Sequence, residues 1–421
     1  MIKTKLLKDE FIYYEKLNNG LEVYIHPKNE LIDNYCALQV NFGGQDLEYI
    51  LDNKKYSLPA GTAHFLEHVY FENDDINLSD EFADKNADIN AYTSREVTKY
   101  YFNSQVNFIE LLRRFLKHFS EVKITDKTIN KERNIIKKEI LMYEDNLYNQ
   151  VNDELLKQMY QDNKVWVDIA GTIDSVNKIN FTVLNQAINH FYQPSNMTLI
   201  VTGAFEPEDI LKVIKESNFN KLPNIYGMKP KLVFNDKSST NKDFVKTNLN
   251  QKVNYAMIGL KIDLTIFKNI DKNIKRLAII LFFEYYFGES SKNYQLLETE
   301  NLINYMYSTY VKITDNYAYF TIGSESNKPK KLIKRIKQML YNLEPIEKDI
   351  FLAHKRSRIG NYIGYFENVY KINYILSDLI LKHINIYNYL DVISNIKVED
   401  ILITKEVISD KNIFSTCYIN K

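Results

Sequence analysis

The five residues His64-Phe-Leu-Glu-His68 constrain this chain more than any other stretch. With their neighbours they read as a helix from Thr62 to Phe71. On a helix, residues four apart lie one turn apart on nearly the same face, so both imidazoles point at one spot. Glu67, three past His64, lies on that side too. Two imidazoles so placed are a ready pair of zinc ligands, and the intervening carboxylate can take a proton from a metal-bound water. A catalytic zinc site needs a third protein ligand and one open position. The chain therefore has to fold so that a second element brings a donor to this helix.

Donors of the right kind follow in a long helical stretch from about Asp126 to Met159, which Thr125 can cap. It carries Glu132, Glu139 and Glu144, the first two seven residues apart and so two turns along one face. Taken alone they read as ordinary solvated carboxylates with lysine neighbours, and residue type leaves the choice among them open.

At 421 residues the chain suits two or three domains, and 45% apolar with 26% charged residues allows buried cores on a soluble protein. The 54 basic and 54 acidic side chains cancel, which argues against nucleic acid as the main partner. Cys36 and Cys417 are too few for a disulfide framework or a cysteine metal knuckle. No apolar run precedes the first charges, and the longest apolar stretch, Leu277 to Phe283, is far too short to span a bilayer. The expectation is a cytoplasmic protein with no membrane span.

Along the first half the pattern alternates. Strands are expected at Gly20 to Pro27 and Tyr35 to Gly44, a β region at Ala87 to Asn103, and a strand at Met197 to Gly203. Helices are expected at Asn107 to Phe119, Thr182 to Tyr192 and Glu206 to Glu216. Prolines, a glycine and polar residues between 222 and 241 read as a linker. Beyond it a similar order recurs: a strand at Lys252 to Ile262, a helix at Ile274 to Phe287, a β region at Ile303 to Gly323, a helix at Lys330 to Leu343, more helices, and a closing strand at Asn412 to Ile419. The expected class is α+β, with two homologous domains, 1–221 and 242–421, each a mostly antiparallel sheet flanked by helices.

Four segments together resemble a known family: Gly61-Thr-Ala-His-Phe-Leu-Glu-His-Val-Tyr-Phe-Glu72, Asn90-Ala-Tyr-Thr-Ser94, the helix bearing Glu132-Arg and Glu139-Ile, and Asp168-Ile-Ala-Gly-Thr172. They resemble the pitrilysin and mitochondrial-processing-peptidase family of inverzincin metallopeptidases, over Gly20 to about Phe205, and most closely its smaller bacterial members. The resemblance implies that His64, His68 and Glu139 hold one zinc ion, that Glu67 is the general base, and that Glu132 orients a ligand from behind. It also implies that the strand carrying Asn90 and Ala91 receives extended peptide substrate through main-chain hydrogen bonds.

The second half departs from that family. Self-sufficient relatives place an Arg seven residues before a Tyr in their C-terminal domain. The best match here, Leu297-Glu-Thr-Glu-Asn-Leu-Ile-Asn-Tyr305, keeps Tyr305 but has Glu298 at the Arg position. A carboxylate cannot replace a guanidinium as donor to a carbonyl or oxyanion. The glycine-rich segment usual before that motif is reduced to Phe287-Gly-Glu-Ser-Ser291. The resemblance then implies a zinc endopeptidase subunit acting on short unfolded peptides, in a heterodimer with a related metal-free subunit that supplies the missing group. The alternative is a non-catalytic binding or scaffold subunit; such members usually lose the His/Glu motif, which this chain keeps.

Overall fold

The computed structural model describes residues 1–71, 78–144, 146–161, 164–223, 230–234, 243–247, 253–409 and 411–419. Most of the stretch read as a linker, 222–241, lies outside the described residues, as does Glu72. The chain forms two compact units.

The first unit is built on a seven-stranded sheet. Its spatial order is Ile2–Lys5, Phe11–Lys16, Glu22–Pro27, Met197–Gly203, Asn34–Val40, Thr98–Ser104 and Ala87–Thr93. Neighbours run antiparallel except Glu22–Pro27 beside Met197–Gly203. The two central strands, Met197–Gly203 and Asn34–Val40, are buried throughout, which is why they lack alternation in sequence. Among the described residues Ala87–Thr93 pairs with Thr98–Ser104 alone and is the edge strand, so the single β region expected at 87–103 is a hairpin. One face of the sheet packs on helices Thr62–Phe71, Phe108–Ser120, Phe181–Phe191 and Pro207–Glu216 around a core that includes Leu38, Phe65, Tyr100 and Phe115.

The second unit has a five-stranded sheet in the order Asp243–Thr247, Ile413–Ile419, Tyr255–Ile262, Ala318–Glu325 and Ser308–Ile313. Step for step this repeats the last five strands of the first sheet, including one parallel pair at the same place. The duplication expected from pattern is thus present in topology although the letters do not repeat.

The stretch expected as one long helix is two. Asp126–Glu144 belongs to the first unit up to Met142, and Asn146 then caps a new helix, Leu147–Met159, by accepting from the Asn149 N–H at 3.1 Å. In that second helix Val151, Leu155, Leu156 and Met159 are wholly buried in the core of the second unit, against Tyr255–Ile262 and Ile413–Ile419. The corresponding helix on the first sheet is Val369–Leu381, which lies on Asn34–Val40 and Met197–Gly203. The units therefore do not follow sequential halves: the first comprises 1–142, 167–233 and 363–387, the second 143–166, 234–362 and 388–421. A periodic pattern shows that a helix is amphipathic but not which sheet it covers. Among the described residues no helix is long and apolar enough to cross a membrane.

Candidate metal centre

Two glycines fix the start of the helix that carries the histidines. Gly61, at φ +89°, leaves no room for a side chain, since a Cβ there would lie 2.4 Å from the Ala170 carbonyl oxygen. Gly171, at φ +78°, is hemmed in the same way by the Ala60 carbonyl oxygen at 2.5 Å. The Asp168-Ile-Ala-Gly-Thr172 segment thus packs its backbone directly beneath the entry to the helix. Ala63, Phe65, Leu66, Val69 and Tyr70 then point into the core, leaving His64, Glu67 and His68 on the opposite, partly open face.

The facing helix, Asp126–Glu144, starts as expected with Thr125 Oγ1 accepting the Thr128 N–H at 3.1 Å. Ile129, Ile136 and Ile140 anchor it in the core. This brings Glu139 Oε2 to 3.6 Å from His64 Nε2 and 3.5 Å from His68 Nε2. Three donors bound tetrahedrally to zinc at ~2.0–2.1 Å would stand about 3.3 Å apart, so these residues fit the ion. Among the described residues, this trio is the one cluster of His, Cys, Asp or Glu with ligand atoms close enough to share a metal. The Glu144 side chain is outside the described residues.

Glu132 lies behind the trio. Its Oε2 is 3.0 Å from His68 Nδ1, and its side chain is 1% exposed. Glu67 sits beside the trio on the same helix, and Thr93 of the edge strand donates its hydroxyl to Glu67 Oε2. Sequence reasoning missed Thr93. The usable signal was strand alternation, which puts residues 89, 91 and 93 on one face once the hairpin is known.

The electrostatics separate the two imidazoles. Burial, helped by the neighbouring His68, pushes the His64 pKa down to about 3, so its ring is neutral with a lone pair available. Burial also opposes charging of His68, but the Glu132 hydrogen bond and the carboxylates of Glu139 and Glu67 outweigh it and raise its pKa. Burial raises the Glu67 carboxyl above its ordinary value, against the Thr93 hydrogen bond and His68, which lower it. A carboxylate shifted upward is a better proton acceptor at neutral pH.

The other expected contacts are on other elements. Asn90 and Ala91 are on the edge strand; Asn90 is exposed, and its Oδ1 accepts the Ala91 N–H at 2.8 Å. Tyr305 belongs to the second unit, just before Ser308–Ile313, and is 88% exposed. Glu298, at the position where an Arg was sought, is exposed on the helix Lys292–Thr299.

Comparison with known proteins agrees with this architecture. Residues 38–173 match the model of the insulinase family, peptidase family M16, and residues 178–356 match the peptidase M16 inactive domain. The chain is 29% identical over 412 residues to the protein described as uncharacterized zinc protease YmfH of Bacillus subtilis, covering 96% of this chain and 95% of that protein. It is 32% identical over 187 residues to a probable mitochondrial-processing peptidase subunit beta of Arabidopsis thaliana, covering 42% of this chain and 34% of that one. In fold it is similar to a putative M16-like peptidase from Alicyclobacillus acidocaldarius, with TM-score 0.89 and 23% identity over 99% of this chain and 100% of that one. A protease from Helicobacter pylori gives TM-score 0.82 at 16% identity, covering 97% of this chain and 99% of that one. With both family models matched in order along one chain of this fold, the protein belongs to peptidase family M16.

Proposed function

We propose that this chain is a zinc-dependent endopeptidase subunit that hydrolyses short unfolded peptides. His64, His68 and Glu139 would hold the ion, and Glu132 would fix the His68 ring from behind. When bound, zinc polarises a scissile carbonyl and acidifies a water molecule. The remaining work falls to the chain's own groups. Glu67 accepts a proton at its carboxylate and delivers it to the departing amine nitrogen. Thr93 holds that carboxylate against the edge strand, and main-chain groups near Asn90 and Ala91 align the extended peptide. Tyr305, open to solvent, is a further substrate contact. The observation carrying this reading is the approach of two imidazole nitrogens to one carboxylate oxygen at 3.5–3.6 Å, with Glu67 poised on the same helix face.

The partner is a related, metal-free subunit supplying the guanidinium that Glu298 cannot. Support comes from the substitution itself and from the similarity to a protein named as one subunit of a processing peptidase. Chelator-sensitive cleavage of a quenched peptide, faster after addition of a co-purified related chain, is the expected result. Metal-loaded protein that cleaves nothing with or without such a chain overturns the reading.

A further inference from the structure

The edge strand Ala87–Thr93 has a second face, turned away from Glu67. Its residues alternate, so Ile89, Ala91 and Thr93 share the face toward the histidine helix, while Asp88, Asn90 and Tyr92 share the other. On that outer face the sheet is covered by the helix Val369–Leu381, which comes from the second half of the sequence yet belongs to the first unit. Lys99, paired across the hairpin from Tyr92, is buried and donates to Asn373 Oδ1 at 2.9 Å and Ser377 Oγ at 2.8 Å. These bonds fix the rotation of the helix, because Asn373 and Ser377 are one turn apart on its inward face.

With that rotation set, Tyr370, Tyr374 and Asp378 form a stripe at four-residue spacing beside the edge strand. Tyr370 lies within electrostatic reach of Asp88, and Tyr374 and Asp378 lie within reach of Tyr92. The helix itself packs on Asn34–Val40 and Met197–Gly203, and this stripe is the side of it that reaches toward the strand over residues 88 to 92. Eight helical residues span about 12 Å and four strand residues about 13 Å, so the two lengths match. The rings form a continuous row: Tyr370 meets Tyr35 edge-on at 5.2 Å, Tyr35 stacks on Tyr101 at 5.6 Å, and Tyr101 meets Tyr92 at 6.3 Å. At the open end, Tyr92 is 41% and Tyr374 61% exposed.

We infer that the stripe on helix Val369–Leu381 forms, with Tyr92, the outer wall of the substrate lane and selects aromatic side chains on the peptide. The inference rests on reading Ala87–Thr93 as the strand that receives substrate. A peptide paired along the open edge turns alternate side chains toward the metal trio and toward this wall. Side chains of the second set lie against tyrosine rings. Of the two carboxylates on this wall, Asp378 is ion-paired with Lys382 and Asp88 stands at the far end near Tyr370, so around Tyr92 and Tyr374 an aromatic ring suits the wall better than a cation. Each ring pair contributes about two- to tenfold in affinity.

The test measures binding of short alanine-based peptides, with phenylalanine scanned through each position, to zinc-loaded full-length Glu67→Gln protein. Phenylalanine should tighten binding about three- to tenfold at positions two residues apart. In the Tyr374→Ala and Tyr374→Gln backgrounds the preference should fall to within about twofold. No phenylalanine preference, a preference unchanged by both variants, a larger gain from arginine than from phenylalanine, or no peptide binding at all would each overturn the outer wall. Parallel cleavage by the wild-type protein separates the two readings. A ring preference in binding with no cleavage, with or without the co-purified related chain, sinks the peptidase and leaves the wall, whereas cleavage without ring preference does the reverse.

Discussion

His68 Nδ1 lies 3.0 Å from Glu132 Oε2, and that carboxylate is buried to 1% exposure with no hydrogen bond to its other oxygen. A buried carboxylate whose other oxygen meets only Lys131 Nζ, at 3.7 Å among the described residues, is costly to the fold, which fits the role proposed for it behind His68. Replacing Glu132 with Gln should weaken zinc binding about 10- to 100-fold in competition with a chromophoric chelator. The metal-free variant should melt no lower than the metal-free parent.

Glu67 calls for a different signature. Glu67→Gln should retain one zinc per chain while peptide hydrolysis falls by about 10²–10⁴-fold or more. Metal analysis and single-turnover cleavage on the same sample check both halves, and parental cleavage by the loaded variant contradicts the assigned role.

Thr93 ties the Glu67 carboxylate to the strand beside it, its hydroxyl donating to Glu67 Oε2. Thr93→Val, which keeps shape but removes the donor, should lower kcat several-fold with a smaller change in KM. Thr93→Ser should restore most of it. Steady-state kinetics on the three proteins decide, and equal kcat values would remove Thr93 from the mechanism.

Much of this centre was legible in the sequence. The spacing of His64, Glu67 and His68 fixes one helix face, and the helix start signal at Thr125 corresponds to an observed cap. The strand Met197–Gly203 ends where a glycine and polar residues interrupt the apolar run. What the letters could not carry was three-dimensional pairing. Nothing local tells Glu132 from Glu139; one is buried behind His68 and the other faces both rings only because of how two helices cross. The break at Asn146 was hidden because both flanking segments are helical in composition, and only burial in different cores separates them. The outer helix Val369–Leu381 reads as apolar wherever it packs.

Lys99 gives a stability prediction with a definite sign. Burial pushes its pKa down to about 7 in the folded chain, against 10.5 for an exposed amine, and the Cys36 thiol near it offsets this only in part. Between those values the unfolded chain holds a proton that the folded chain does not. Stability from this group therefore rises with pH above about 7, by at most about 1.4 kcal/mol per pH unit, and is flat below it. Denaturant unfolding of the parent and Lys99→Met at several pH values should show the parent gaining on the variant between pH 7 and 10. A difference independent of pH would mean that Lys99 stays charged in its contact with Asn373 and Ser377.

The central claim is that His64, His68 and Glu139 converge on one ion. Crystals of zinc-loaded protein, measured on both sides of the zinc absorption edge, address it directly. The expected result is one anomalous peak per chain, ~2.0–2.2 Å from a nitrogen of each histidine and an oxygen of Glu139. A peak bound without Glu139, or no peak between the two helices in a crystal that carries zinc elsewhere, would contradict the account.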